Sequence, residues 1–217
     1  MAYDLEEQEQ IATLKAWWDK YGNLTTWVVI AGLAAYSGWT AWNYHQRSQA
    51  VEASALYDQL QNAFATKDNA KVQRAAGDIE SRFGGTAYGA MGALSAAKSA
   101  FDANDNKTAK AQLQWAIDNG VDEYKAVARI RLAGVLLDEK AYDEALKVLA
   151  AEMPSQFAAE VSDRKGDVLA AQNKLAEARA AYQAALDATD KKAPSRQLIE
   201  LKLEAIGGSA APAKDAA

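Results

Sequence analysis

A single histidine, His45, stands in a chain of 217 residues that has no cysteine. Those two facts remove most acid–base and nucleophilic chemistry at once. A Ser-His-Asp arrangement needs an imidazole within reach of its nucleophile, and imidazole-rich zinc sites need several. Disulfides, thiolate nucleophiles and thiolate metal sites need cysteine. His45 closes a long uncharged run and is expected to be only a polar boundary residue. The paired carboxylates Asp122 with Glu123 and Asp138 with Glu139 fall in helical or turn segments, where solvated faces are the simplest account. Gly85, Gly89 and Gly92 follow a helix break and not a strand, so they lack the setting of a dinucleotide-binding turn. No catalytic residue, metal ligand or cofactor is expected; the chain is expected not to be an enzyme.

The surrounding elements point to one class. Proline occurs three times, and segments rich in Ala, Leu, Lys, Glu and Gln follow one another, which predicts an all-α protein. The net charge is −5 and the isoelectric point about 5.0, so no basic stripe is available for phosphates and nucleic acid is not an expected ligand.

From Tyr21 to Gln46 the chain carries no formal charge. A bilayer-crossing helix needs about 20 mostly apolar residues, and this run is long enough. Trp27 sits near one end, Trp39, Trp42 and Tyr44 near the other, and Tyr21 just outside, the placement expected of rings at headgroup level. A cleaved signal peptide fits poorly, because an acidic segment precedes the run and neither a basic flank nor an A-x-A site is present. A buried core helix would be shorter or would carry a polar stripe. The expected division is therefore an N-terminal segment 1–23, a transmembrane helix 24–45, a domain 46–206 and a disordered tail 207–217. Lys15 and Lys20 precede the run, whereas only Arg47 follows closely, which puts the N-terminus in the cytoplasm. Ala31, Ala34, Ala35, Gly38 and Ala41 recur every three or four residues and share a helix face. Such a face lets a second membrane helix approach closely; it is also what the ordinary alanine content of membrane helices produces.

The domain that follows repeats itself. The segments SAFDANDNKTAKAQLQWAI from Ser99, LAGVLLDEKAYDEALKVL from Leu132 and KGDVLAAQNKLAEARAAYQAAL from Lys165 align at Ala111, Ala145 and Ala178, spaced by 34 and 33 residues. Four positions on stand Trp115, Leu149 and Tyr182; twelve before the last two alanines stand Ala133 and Gly166. A period near 34 with a small residue, a turn, an alanine and a bulky residue is the pattern of a tetratricopeptide repeat. Small residues let two antiparallel helices meet, and the bulky one fills the gap to the next pair. A degenerate first pair lies around Ala75 and Ile79, giving a tetratricopeptide-like α-solenoid of about four helix pairs, with a capping helix over Gln197 to Leu203. An irregular helical bundle is the competing architecture. From Arg47 onward 22 bases face 24 acids, so shape and apolar contact outweigh charge steering in whatever this domain binds.

The order of parts resembles a known family. The opening block YDLEEQEQIATLKAWWDKYGN before an uncharged run, and GTAYGAMGALSAAKSAF from Gly85, resemble the YfgM-like ancillary subunits of the SecYEG translocon. That resemblance implies a bacterial inner-membrane protein, single-pass, with a cytoplasmic N-terminus and a periplasmic tetratricopeptide-like domain. It also implies association with SecYEG and with a PpiD-like periplasmic chaperone, a role in trafficking exported client proteins, and no catalytic residues. The alternative is a membrane-anchored tetratricopeptide scaffold for another envelope complex.

Overall fold

In the computed structural model, which describes residues 2–209, the chain divides into two compact units between Gln49 and Ala50. The described residues form nine α-helices: α1 Ala2–Ala65, α2 Asn69–Phe83, α3 Ala87–Asp102, α4 Asn106–Asn119, α5 Asp122–Asp138, α6 Tyr142–Leu149, α7 Ala158–Ala171, α8 Leu175–Ala188 and α9 Pro194–Ala205. A short 3-10 turn, Ser155–Phe157, follows Pro154 and leads into α7.

In the second unit the helices pair in sequence order. The end of α1 packs on α2, α3 on α4, α5 on α6 and α7 on α8, with α9 laid against α8. One amphipathic stripe per helix builds three stacked clusters. Ala53, Leu60 and Ala63 meet Val72, Ala76, Ile79 and Phe83 in the first. Leu113, Leu132, Leu136 and Leu149 dominate the second, and Leu169, Leu186, Ile199 and Leu203 the third. Each fully buried leucine contributes about 2 kcal/mol against leaving it in water.

One turn recurs at every first helix. Lys67, Asn104, Lys140 and Asn173 stand at positive φ (56°, 61°, 61° and 61°) directly after the helices α1, α3, α5 and α7. The next residue's N–H donates back across the helix end, from Asp68 to Ala63 O, Asp105 to Ala100 O, Ala141 to Leu136 O and Lys174 to Leu169 O, at 2.8–3.0 Å. This is the Schellman ending, which satisfies the last carbonyls of one helix while reversing the chain into the next. Asp68 and Asp105 then cap the following helices, accepting from the N–H groups of Lys71 and Thr108 at 3.1 and 3.0 Å. The positive charge of Lys71 and its N–H hold the Asp68 carboxyl below the usual range. The same ending closes α9: Gly207 has φ 74° and the N–H of Gly208 donates to Leu203 O at 2.9 Å. α9 is thus the first helix of a further repeat. Gly207 and Gly208, assigned to the tail by composition, belong to this ending, which Arg179 holds through Nε and Nη2 on Ile206 O at 2.8 and 2.6 Å. The rest of the expected tail, residues 210–217, lies outside the described residues.

In the first unit, α1 is helical through the whole uncharged run. Leu24, Trp27, Val28, Val29, Ile30, Leu33, Tyr36, Trp39, Trp42 and Tyr44 are all exposed. By mean hydropathy, however, no helix among the described residues is long and apolar enough to cross a membrane, which departs from the span expected at 24–45. The reason is compositional: tryptophan and tyrosine rings and the hydroxyls of Thr25, Thr26, Ser37 and Thr40 dilute the average within a run that has no charge. Two of those hydroxyls are already satisfied inside the helix, Thr25 on Tyr21 O at 3.0 Å and Thr26 on Gly22 O at 2.8 Å.

Candidate functional site

No cluster of three or more His, Cys, Asp or Glu is placed to hold a metal among the described residues. His45 meets Gln49, four residues on, with the two Nε2 atoms 3.2 Å apart.

The α7/α8 pair has the closest helix contact. A Cβ built on Gly166 would lie 2.5 Å from the Tyr182 ring, so the ring lies directly on the glycine backbone. Tyr182 is nearly fully buried and donates its hydroxyl to Asp167 Oδ1 at 2.9 Å. Lys202 of α9 reaches Asp167 and Asp163 at 2.9 and 2.8 Å, tying the last helix to α7. Burial raises the Asp163 carboxyl above its ordinary range, against the pull of the Lys202 ammonium. Burial, followed by the neighbouring Asp167, pushes the Tyr182 phenol well above its ordinary range and keeps it protonated.

The other repeat positions sort by register. Ala133, Ala145, Ala178 and Leu149 are buried at helix contacts. Ala111, however, is exposed and Trp115 only half-buried. The buried positions of α4 are Ala109, Leu113 and Ala116, the first two standing two residues before Ala111 and Trp115, and the equivalent small residue of α3 is Ala97. The backbone fixes this register: the N–H groups of Val72, Ala109, Ala145 and Ala178 all donate to the residue that follows the left-handed turn. The aligned position in the first pair is accordingly Val72 and not Ala75. Sequence alignment slid because AKAQLQWA offers an alanine at both 109 and 111; the recurring Lys or Asn of the turn is the signal that separates them. The Trp115 ring packs over the junction of α2 and α3, its edge 3.2 and 3.0 Å from the Cβ positions of Gly84 and Gly89. In α2, burial pushes the Glu80 carboxyl up to about 7, while a hydrogen bond from Gln112 works the other way.

Of the membrane-face residues, Ala31, Ala34, Ala35, Gly38 and Ala41 are all exposed, and a Cβ on Gly38 would meet nothing within 4 Å.

A sequence model for the tetratricopeptide repeat-like domain matches residues 15–208. The ancillary SecYEG translocon subunit of Neisseria gonorrhoeae is 31% identical over 208 residues, covering 95% of this chain and all of the relative. That of Escherichia coli K12 is 32% identical over 199 residues, covering 91% and 95%, and that of Haemophilus influenzae is 31% identical over 187, covering 82% and 91%. The chain belongs to the ancillary SecYEG translocon subunit family. In this family member the match begins at Lys15, before the uncharged run, and ends at Gly208, where the last Schellman turn closes. The repeat geometry therefore occupies the matched region to its final residue.

Proposed function

We propose that this chain is a non-enzymatic ancillary subunit of the SecYEG translocon, anchored in the inner membrane by residues 24–45. Residues 1–23 remain in the cytoplasm. The repeat domain, 46–206, stands in the periplasm, engages a PpiD-like chaperone and assists the passage of exported chains. Three relatives named for that role, similar over most of their length, support the assignment. The carrying observation is the uncharged run ahead of the repeats. Ten large apolar side chains from Leu24 to Tyr44 are exposed on all sides of one helix, and water would penalise each of them. A helix apolar all round needs an apolar environment on every side, and lipid supplies it. Interfacial rings explain why the mean hydropathy understates the run, and Lys15 and Lys20 set its direction. Ala31, Ala34, Ala35, Gly38 and Ala41 then offer a face for a helix of the channel or of the chaperone, while the packed repeat residues hold the periplasmic surface rigid.

Photo-crosslinking in native membranes, with the crosslinker at Ala34 and at Leu175, tests the assignment. The channel at the first position and a periplasmic chaperone at the second are the expected adducts. Adducts confined to another envelope complex at both positions overturn it in favour of a scaffold elsewhere.

A further inference from the structure

The first helices α3, α5 and α7 touch in succession, and a recess of about 400 Å³ opens among them. Its floor is apolar: Leu113 and Val135 are buried, and the Phe101 ring is 39% exposed at the edge. Its walls are cationic, with Lys98, Arg131 and Arg164 set against the single acid Asp138. Two of these cations already have acids within the chain, Lys98 with Asp102 at 2.8 Å and Arg164 with Asp167 at 3.2 Å. Arg131 meets only the Leu94 carbonyl, at 3.3 Å, and no carboxylate among the described residues. The Arg164 guanidinium lies flat over Gly134, 3.6 Å from where a Cβ would stand, and its Nε is buried without an acceptor. Arg131, exposed and without a carboxylate partner, is the cation of the recess open to an anionic oxygen.

We infer that this recess binds an acidic side chain, flanked by an apolar residue, on an extended segment of a partner polypeptide. Arg131 supplies the donors for the carboxylate, and the Lys98 and Arg164 charges on the adjoining walls add to its pull. The apolar neighbour covers Phe101, Leu113 and Val135. Asp138 at the rim disfavours a doubly charged anion such as a phosphate. The recess lies among the first helices α3, α5 and α7, with the end of α1 before it and α9 after it in the row, so a bound chain continues on both sides. That position selects an internal acid over a chain terminus. The inference rests on the repeat domain holding a partner, and its test is independent of which complex the anchor joins.

The experiment is fluorescence anisotropy with the full chain in detergent micelles. The probe is a fluorescein-labelled, C-terminally amidated peptide carrying Leu-Glu-Leu between Gly/Ser flanks. Replacing its Glu by Gln should weaken binding about tenfold, as expected for one charge-assisted contact. Arg131→Gln should do the same without shifting the melting temperature, Arg164→Gln should weaken binding less, and Lys71→Gln on α2 should have no effect. Equal binding of the Glu and Gln peptides, or undiminished binding by Arg131→Gln, overturns the inference. So does tighter binding of a Glu-free peptide with a free C-terminal carboxylate. Recovery of SecYEG with the unmodified protein reports on the anchor alone, so failure of the recess and failure of the functional proposal are read separately.

Discussion

Helix α3 and the uncharged run of α1 have the same small-residue spacing and opposite surroundings. In α3, Gly89, Ala90, Gly92, Ala93, Ala96, Ala97 and Ala100 are buried, because α2, α4 and α5 come within contact of the backbone. In the run, Ala31, Ala34, Ala35, Gly38 and Ala41 are exposed, and so are the large residues between them. α3 also carries Lys98 and Asp102 on its outer side, paired at 2.8 Å, whereas the run has no charge on any side. Small residues at helical spacing therefore do not say what they pack against. The charge on the remaining faces differs: α3 has a charged back, and the run of α1 has none.

The comparison breaks most severely where helix contact is closest. Tyr182→Ala should destabilise the repeat unit by about 3–5 kcal/mol, because it empties an aromatic site lying on the Gly166 backbone. Tyr182→Phe keeps the packing and loses only the bond to Asp167, costing about 1 kcal/mol. Denaturant unfolding of the full chain in detergent, followed by tyrosine and tryptophan fluorescence, measures both. Equal losses from the two variants would mean that the hydroxyl, and not the ring, holds α7 to α8.

Next comes the contrast itself. Ala97→Trp should cost about 1–3 kcal/mol or more by overpacking α3 against its neighbours, whereas Ala34→Trp should leave repeat unfolding unchanged. A matching loss at both positions would place the run inside a protein core. The register is sharpened in the same assay: Ala109→Leu should cost about 1–3 kcal/mol, and Ala111→Leu should stay within about 0.5 kcal/mol of the parent.

These substitutions mark where the sequence is informative. Helix class, the pairing order and the buried Ala133, Ala145, Leu149, Gly166, Ala178 and Tyr182 are legible because a repeat states its contacts more than once. Ala109 and not Ala111 is buried in α4; two alanines two residues apart satisfy the same spacing, and only the backbone turn at Asn104 chooses between them. The turn itself is hidden, since lysine and asparagine replace the glycine that usually announces a left-handed position. The cationic recess is equally hidden: Lys98, Arg131 and Arg164 are 33 residues apart in sequence and meet only through the stacking of repeats.

The smallest effect concerns pH. The Glu80 carboxyl titrates near 7 in the folded chain, above its ordinary value of 4.5, chiefly because it is buried. The folded state therefore keeps a proton that the unfolded state releases, and stability should fall as pH rises from about 4.5 to about 7. Because the group is only half-buried, solvent screening reduces the loss to about 1 kcal/mol. Glu80→Gln should flatten this part of the thermal-stability profile. A wild-type profile already flat between those limits would place the Glu80 carboxyl in water, not half-buried against Gln112.

The most direct test of the account uses the absence of native cysteine, which makes every introduced thiol unique. Glu7→Cys, Ala34→Cys and Glu144→Cys are treated with a membrane-impermeant maleimide in spheroplasts and in inverted membrane vesicles. Glu144→Cys should be labelled in spheroplasts, Glu7→Cys only in inverted vesicles, and Ala34→Cys in neither until the membrane is dissolved and the chain unfolded. Labelling of Ala34→Cys as readily as Glu144→Cys would contradict the anchor, and labelling of Glu144→Cys only in inverted vesicles would contradict its direction.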